Sequence, residues 1–108
     1  QQQRNPAALA QEYQSRRQEL QALATKIGEV EADRDEHRLV LSTLEPIVKA
    51  EPDRKAFRLM GGVLVEKNVR ETEGAVKEGE AGLTQLLEQL VEQYKVKEGQ
   101  LNEFQQKY

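Results

Sequence analysis

Apolar residues recur along the first part of the chain in steps of four and three: Leu9, Tyr13, Leu20, Leu23, Ile27, Val30, Leu41, Leu44 and Val48. With Tyr13 at a heptad a position, 12 a and d positions fall between residues 9 and 48, and nine are apolar. Arg16, Arg34 and His37 are the exceptions. A period of 3.5 marks a supercoiled seam that meets another helix, whereas a broad core-facing stripe has a period of 3.6. Asn5 is placed as an N-cap before Pro6, whose fixed φ and missing N–H suit the first helical position. The next proline is Pro46, so the pattern predicts a first helix over about residues 6–45, roughly 60 Å long.

From about residue 46 to 67 the heptads stop. Pro46 and Pro52 each remove an amide donor and restrict the residue before them. Two short β-prone runs then flank Gly61-Gly62, a dipeptide able to take the positive φ angles of a tight hairpin turn. A two-residue loop pairs Met60 with Val63, Leu59 with Leu64 and Arg58 with Val65. Both faces of that ribbon then carry exposed apolar side chains. A lone two-stranded hairpin is marginal in water, and its edges offer unpaired N–H and C=O groups.

Heptads resume over about residues 69–108. Val69, Val76, Leu83, Leu87, Leu90, Tyr94, Leu101, Phe104 and Tyr108 fall on a and d, with Glu73, Glu80 and Lys97 as mismatches. Asn68 followed by Glu71 resembles a capping box. Gly74, Gly79, Gly82 and Gly99 oppose the helix, each by about 1 kcal/mol relative to Ala; the stretch from Val69 to Gly82 is expected to be the least stable. The fold class expected is mainly α: a long antiparallel two-helix coiled coil, closed at one end by the β-hairpin. Facing residues can share a constant index sum of 117, with a slip of one heptad as the competing register. That sum sets Tyr13 opposite Phe104, Leu9 opposite Tyr108, Ile27 opposite Leu90, Leu41 opposite Val76 and His37 opposite Glu80.

Composition agrees with a thin structure. Charged residues are 32% of the 108, against roughly 25% in a typical domain, and mean hydropathy is −0.81. Sixteen basic against 19 acidic side chains give a net charge of −3. With the two signs interleaved, there is no clustered basic footprint for a nucleic acid. No apolar run reaches the length of a membrane span. The start, Gln-Gln-Gln-Arg-Asn-Pro, has no apolar core of a secretory signal, and its lack of Met leads us to expect a piece of a longer polypeptide.

Catalytic chemistry has little to build on. Zero Cys excludes disulfides, thiolate zinc sites and cysteine nucleophiles, and agrees with a reducing compartment. The single histidine, His37, has no second His with which to form a metal or shuttle site. Gly74 to Gly79 has the glycine spacing of a phosphate loop, but Glu80-Ala81 stands where Lys-Ser/Thr is required. Gly79-Glu80-Ala81-Gly82 is a formal GxxG whose acid would repel a nucleic-acid backbone. No catalytic, cofactor or metal residue is assigned. Binding by surface is left. Leu9, Tyr13, Leu101, Phe104 and Tyr108 cluster at the ends of the two helices, where they either close the seam or grip other apolar chains. Hairpins of several chains closing into a barrel would remove every edge.

The run Arg58-Leu59-Met60-Gly61-Gly62-Val63-Leu64-Val65-Glu66-Lys67-Asn68-Val69 resembles the central hairpin motif of β-class prefoldin subunits. Glu36-His37-Arg38-Leu39-Val40 with Thr43-Leu44, and Leu101-Asn102-Glu103-Phe104, resemble the family's flanking helices. The likeness covers about residues 13–104, with Lys67-Asn68 where Arg-Thr is usual. A single hairpin resembles the β class, since the α class carries two. The resemblance implies one prefoldin-like domain over residues 1–108, joined through an intersubunit β-barrel into a heterohexamer of two α-class and four β-class subunits. It implies an ATP-independent cytoplasmic chaperone, without cofactor, nucleic acid or membrane, that captures unfolded actin and tubulin and delivers them to the cytosolic chaperonin. On this sequence Phe57, Leu59, Met60, Val63, Leu64 and Val65 would form the subunit interface. Leu9, Tyr13, Leu101, Phe104 and Tyr108 would form the client-binding tip. The alternative is a coiled-coil scaffold or tether that holds no client.

Overall fold

The computed structural model describes residues 5–108; the Gln-Gln-Gln-Arg start, which bears on the signal-peptide expectation, lies outside them. The element order is α1 (Pro6–Ala50), β1 (Lys55–Met60), β2 (Val63–Asn68) and α2 (Val69–Lys107). The chain forms two compact units, one of residues up to Val30 with Leu86–Tyr108, the other of Glu31–Gln85.

Local chemistry sets the element ends. The Asn5 side chain accepts the Ala7 amide at 2.8 Å and its carbonyl accepts the Leu9 amide, so α1 begins on a complete N-cap. The far end departs from expectation, because α1 does not stop before Pro46 but runs through it to Ala50. Pro46 removes the donor to the Ser42 carbonyl, but both residues are on the exposed side, where water can serve that acceptor. Leu41 and Val48, which flank the proline, line the same depression as Glu73 and Lys77 of α2, so packing carries the helix past the break. Only at Pro52-Asp53 does the chain turn.

The first amides of α2 are taken up by the segment that precedes the hairpin. The Val69 amide donates to the Arg54 carbonyl at 2.9 Å, that of Arg70 to the Pro52 carbonyl, and that of Glu71 to the Asn68 side chain at 2.8 Å. These groups would otherwise lack partners in any helix. Arg70 also reaches Asp53 at 3.4 Å, and Val69, only 4% exposed, is buried at the junction.

Between the helices, β1 and β2 form a two-stranded antiparallel ribbon. Its register pairs Met60 with Val63, Leu59 with Leu64 and Arg58 with Val65, as the two-glycine loop requires. Gly61 (φ 57°) and Gly62 (φ 80°) supply the two positive angles that a Cβ would disfavour.

Within each unit a stretch of α1 lies antiparallel to a stretch of α2. In the first, Val30, Leu87, Leu90 and Leu101 are buried, Lys97 bonds Glu19 at 2.8 Å, and Gln105 donates to the Tyr13 hydroxyl at 3.2 Å. In the second, Arg38 reaches Glu80 at 3.8 Å. The residue numbers of these three pairs add to within one of 117, in line with the expected register and not with a slip of one heptad.

His37 is placed differently from its expected pairing with Glu80. Its Nδ1–H donates to the Asp33 carbonyl at 2.8 Å, while the other edge of the ring lies over Gly79. A Cβ at Gly79 would lie 2.9 Å from His37 Nε2. Glu80 instead accepts from the Thr84 hydroxyl at 2.7 Å and faces Arg38. The glycine is thus the hole that receives an imidazole at a seam position, and its cost to the helix has a local reason. Gly74, Gly82 and Gly99 have nothing within 4 Å of a built Cβ, so packing gives no reason for them.

Two predictions follow from this packing. Gly82→Ala raises unfolding stability in urea by about 1 kcal/mol, whereas Gly79→Ala gains clearly less because the His37 ring must move. Adding His37→Ala to Gly79→Ala restores the missing gain, and an equal gain at both glycines without it contradicts the packing. The second concerns Glu19, whose carboxyl is held below its ordinary pKa of 4.5 by the hydrogen bond from Lys97 and then by that ammonium's charge. A depressed folded pKa stabilises the fold above the unfolded value and loses that contribution as pH falls below 4.5. Glu19→Lys therefore lowers the melting temperature at neutral pH, and Lys97→Glu in the same chain recovers it. A double variant no better than the single one places these residues in a different register.

Candidate functional site

Two exposed apolar surfaces stand out, one in each unit. The first is the hairpin. Strand alternation puts Phe57, Leu59 and Leu64 on one face with Lys55, Glu66 and Asn68, and Ala56, Arg58, Met60, Val63, Val65 and Lys67 on the other. Phe57, Leu59 and Leu64 are 63%, 71% and 66% exposed. Met60 and Val63 are also open to water, and Val65 is half-buried. Such a cluster of large apolar side chains on so small a sheet marks a surface meant to be covered. Backbone geometry points the same way. The two-residue loop makes Met60 and Val63 a hydrogen-bonded pair, and bonded pairs then alternate along the ladder. The Val69 amide on the Arg54 carbonyl falls in that sequence. The N–H and C=O groups of Phe57 and Leu59, and of Leu64 and Glu66, are therefore aimed outward along the two edges. All six residues assigned to the interface from the sequence lie on this ribbon.

The second surface is formed where the start of α1 meets the end of α2. Leu9, Ala10, Tyr13, Phe104, Gln105 and Tyr108 line a depression. The Phe104 and Tyr108 rings stand 5.2 Å apart at 49°, and the Arg16 guanidinium lies 5.2 Å over Phe104 while bonding Glu12 at 3.0 Å. A more polar depression lined by Glu12, Arg16, Glu103 and Lys107 shares Phe104 and Tyr108 with it. Four of the five tip residues named from the sequence meet here. Leu101 is corrected, because at 9% exposure it is a seam residue beneath the surface. Leu9, Tyr13 and Phe104 are half-buried, and Tyr108 is 50% exposed. Sequence reasoning missed Ala10 and Gln105, which are outside the heptad positions it followed. It marked Arg16 only as a seam exception, though a cation one seam position from the Tyr13–Phe104 aromatic pair was a signal for stacking.

Among the described residues no group of three or more His, Asp or Glu side chains could hold a metal. No helix among them is long and apolar enough to cross a membrane.

Known proteins share both the sequence and the fold. A prefoldin subunit 2 from Arabidopsis thaliana is 35% identical over 104 residues, which is 96% of this chain and 68% of that protein. The human prefoldin subunit 2 is 38% identical over 92 residues, or 85% of this chain; the match spans only 58% of the relative's length. A probable prefoldin subunit 2 from Schizosaccharomyces pombe is 36% identical over 97 residues, covering 90% of this chain and 82% of that one. Among solved structures, the prefoldin beta subunit from Thermococcus strain KS-1 superposes with a TM-score of 0.84, at 21% identity, over 99% of this chain and 93% of its own. The prefoldin subunit family matches residues 7–108. A hairpin with open edges between two heptad helices, and a family match over nearly the whole length, have one common explanation: the chain belongs to the prefoldin subunit family.

Proposed function

We propose that this chain is one subunit of a hetero-oligomeric, ATP-independent holdase that keeps unfolded polypeptides from aggregating in the cytosol. Its hairpin joins the hairpins of α- and β-class prefoldin subunits in a shared β-barrel, so that Phe57, Leu59, Met60, Val63, Leu64 and Val65 leave water together. The assembly holds six paired-helix ends near one another. Each end offers Leu9, Tyr13, Phe104 and Tyr108 to apolar segments of an unfolded chain, with Leu101 supporting them from the seam. One such end binds weakly, but several act at high effective concentration. Clients of the actin and tubulin class pass from these ends to the cytosolic chaperonin.

The observation that carries this reading is the exposed apolar ribbon with unpaired edges, a structure that water does not favour and that sister strands complete. The sequence has no phosphate loop, in keeping with a holdase that does not hydrolyse nucleotide. A second reading, a scaffold that holds no client, draws support from the half-burial of Tyr13 and Phe104, which partly close their own seam.

The two readings differ in one experiment. Leu9→Ser, Tyr13→Ser, Phe104→Ser and Tyr108→Ser are introduced together into the assembled complex, and suppression of aggregation of denatured actin is followed by light scattering. The holdase reading expects assembly to survive and protection to fall several-fold. Unchanged protection by an intact complex favours the scaffold.

A further inference from the structure

The two faces of the hairpin differ in charge as well as in apolar content. On the face of Phe57, Leu59 and Leu64, the cation and the acid neutralise each other, with Lys55 Nζ 3.4 Å from Glu66 Oε1. The opposite face carries Arg58 and Lys67, and neither has an ion-pair partner among the described residues. Arg58 sits across from Val65, two residues before Lys67 on the same face, so the two cations are diagonal neighbours at about 7–8 Å. Of the acids just before Arg58 in sequence, Glu51 is engaged with Arg54 and Asp53 with Arg70; beyond Lys67 the next acid, Glu71, belongs to the first turn of α2 and not to the ribbon. In a chain of net charge −3, this face holds two cations and no acid.

We propose that the strands which extend this sheet come from different subunits and set carboxylates against Arg58 and Lys67, so that charge selects sister subunits over a second copy. The inference rests on the proposed role of the hairpin as a subunit interface and names the chemistry of what it meets. A strand added beside β1 places the residue opposite Arg58 on the same face, about 5 Å away, and a strand beside β2 does the same for Lys67. A second copy that continues the sheet with this face on the same side offers Ala56, Arg58, Met60, Val63, Val65 and Lys67. None is acidic, so every such register sets the cations against apolar groups or each other. Like charges placed together suppress wrong partners, and opposite charges fix the right ones.

The test uses this chain co-expressed with the α- and β-class subunits of a reconstituted prefoldin, with incorporation measured by native mass spectrometry. Circular dichroism of each variant first checks that helix content is kept. Arg58→Glu with Lys67→Glu is expected to lower incorporation about tenfold at low salt, and the deficit shrinks as salt rises toward about 1 M, where the screening length is about 3 Å. Leu59→Pro is the companion variant. It removes an outward amide without breaking a bond inside the ribbon, and is expected to block incorporation at any salt. If Leu59→Pro is excluded while the charge-reversed chain incorporates like the wild type at low salt, the charge inference is overturned and the hairpin interface stands. If Leu59→Pro incorporates normally, the hairpin interface falls and takes the inference with it. A homodimer of the wild-type chain in sedimentation, abolished by Leu59→Pro, also overturns the selection against a second copy.

Discussion

A two-stranded ribbon satisfies only the backbone groups that face inward. Among the described residues no strand lies beside the outward amides and carbonyls of Phe57, Leu59, Leu64 and Glu66, and three of the same stretch's largest apolar side chains are more than 60% exposed. Water can hydrogen-bond the edges but does not favour the apolar face, and a lone hairpin has no sheet to bury it against. The ribbon is nevertheless well specified. Two glycines at positive φ fix the loop, the loop fixes the register, and the Arg54 and Pro52 carbonyls tie its base to the first amides of α2. A surface so fixed in conformation and so poorly covered is preorganised for strands from elsewhere, which lowers the ordering cost of association.

The paired helices follow a different economy. A two-helix seam is one layer deep, so only Val30, Val69, Leu87, Leu90 and Leu101 are buried among the described apolar residues. Polar seam residues are accommodated individually: Arg16 stacks on Phe104 and bonds Glu12, Arg34 turns to Asp35, and His37 rests over Gly79. The Arg16 and His37 contacts reach α2, whereas that of Arg34 stays within α1, and none adds much core. Where the start of α1 meets the end of α2, the shallow seam leaves Tyr108 open and Leu9, Tyr13 and Phe104 half-covered. Partial cover is compatible with the holding role proposed for this surface, since a fully buried cluster could not be offered and a fully exposed one would self-associate.

Most of the fold was legible because its determinants are local. Asn5 and Asn68 announce their helix starts by side-chain chemistry, Gly61-Gly62 announces the loop, and the four-three spacing marks which residues belong to the seam. What escaped the sequence depended on neighbours in space. Pro46 is a helix breaker by its own chemistry, but Leu41 and Val48 on either side of it have α2 to pack on, and the helix continues to Ala50. Register alone pairs His37 with Glu80, yet the missing side chain of Gly79, one residue away, offers the ring more room. Spacing along a helix does not reveal depth within a thin seam, so it does not separate buried Leu101 from its more exposed neighbours. The unpaired charge of Arg58 and Lys67 likewise emerges only when Glu66 is seen to bond Lys55 on the opposite face.

The central claim is that the hairpin edges are open until other strands close them. Amide hydrogen exchange tests it residue by residue, comparing the isolated chain with the assembled complex. The outward amides of Phe57, Leu59, Leu64 and Glu66 should exchange rapidly in the isolated chain and become as slow as the inward amides on assembly. Outward amides already protected in a stable monomer, or unchanged by assembly, would contradict the account.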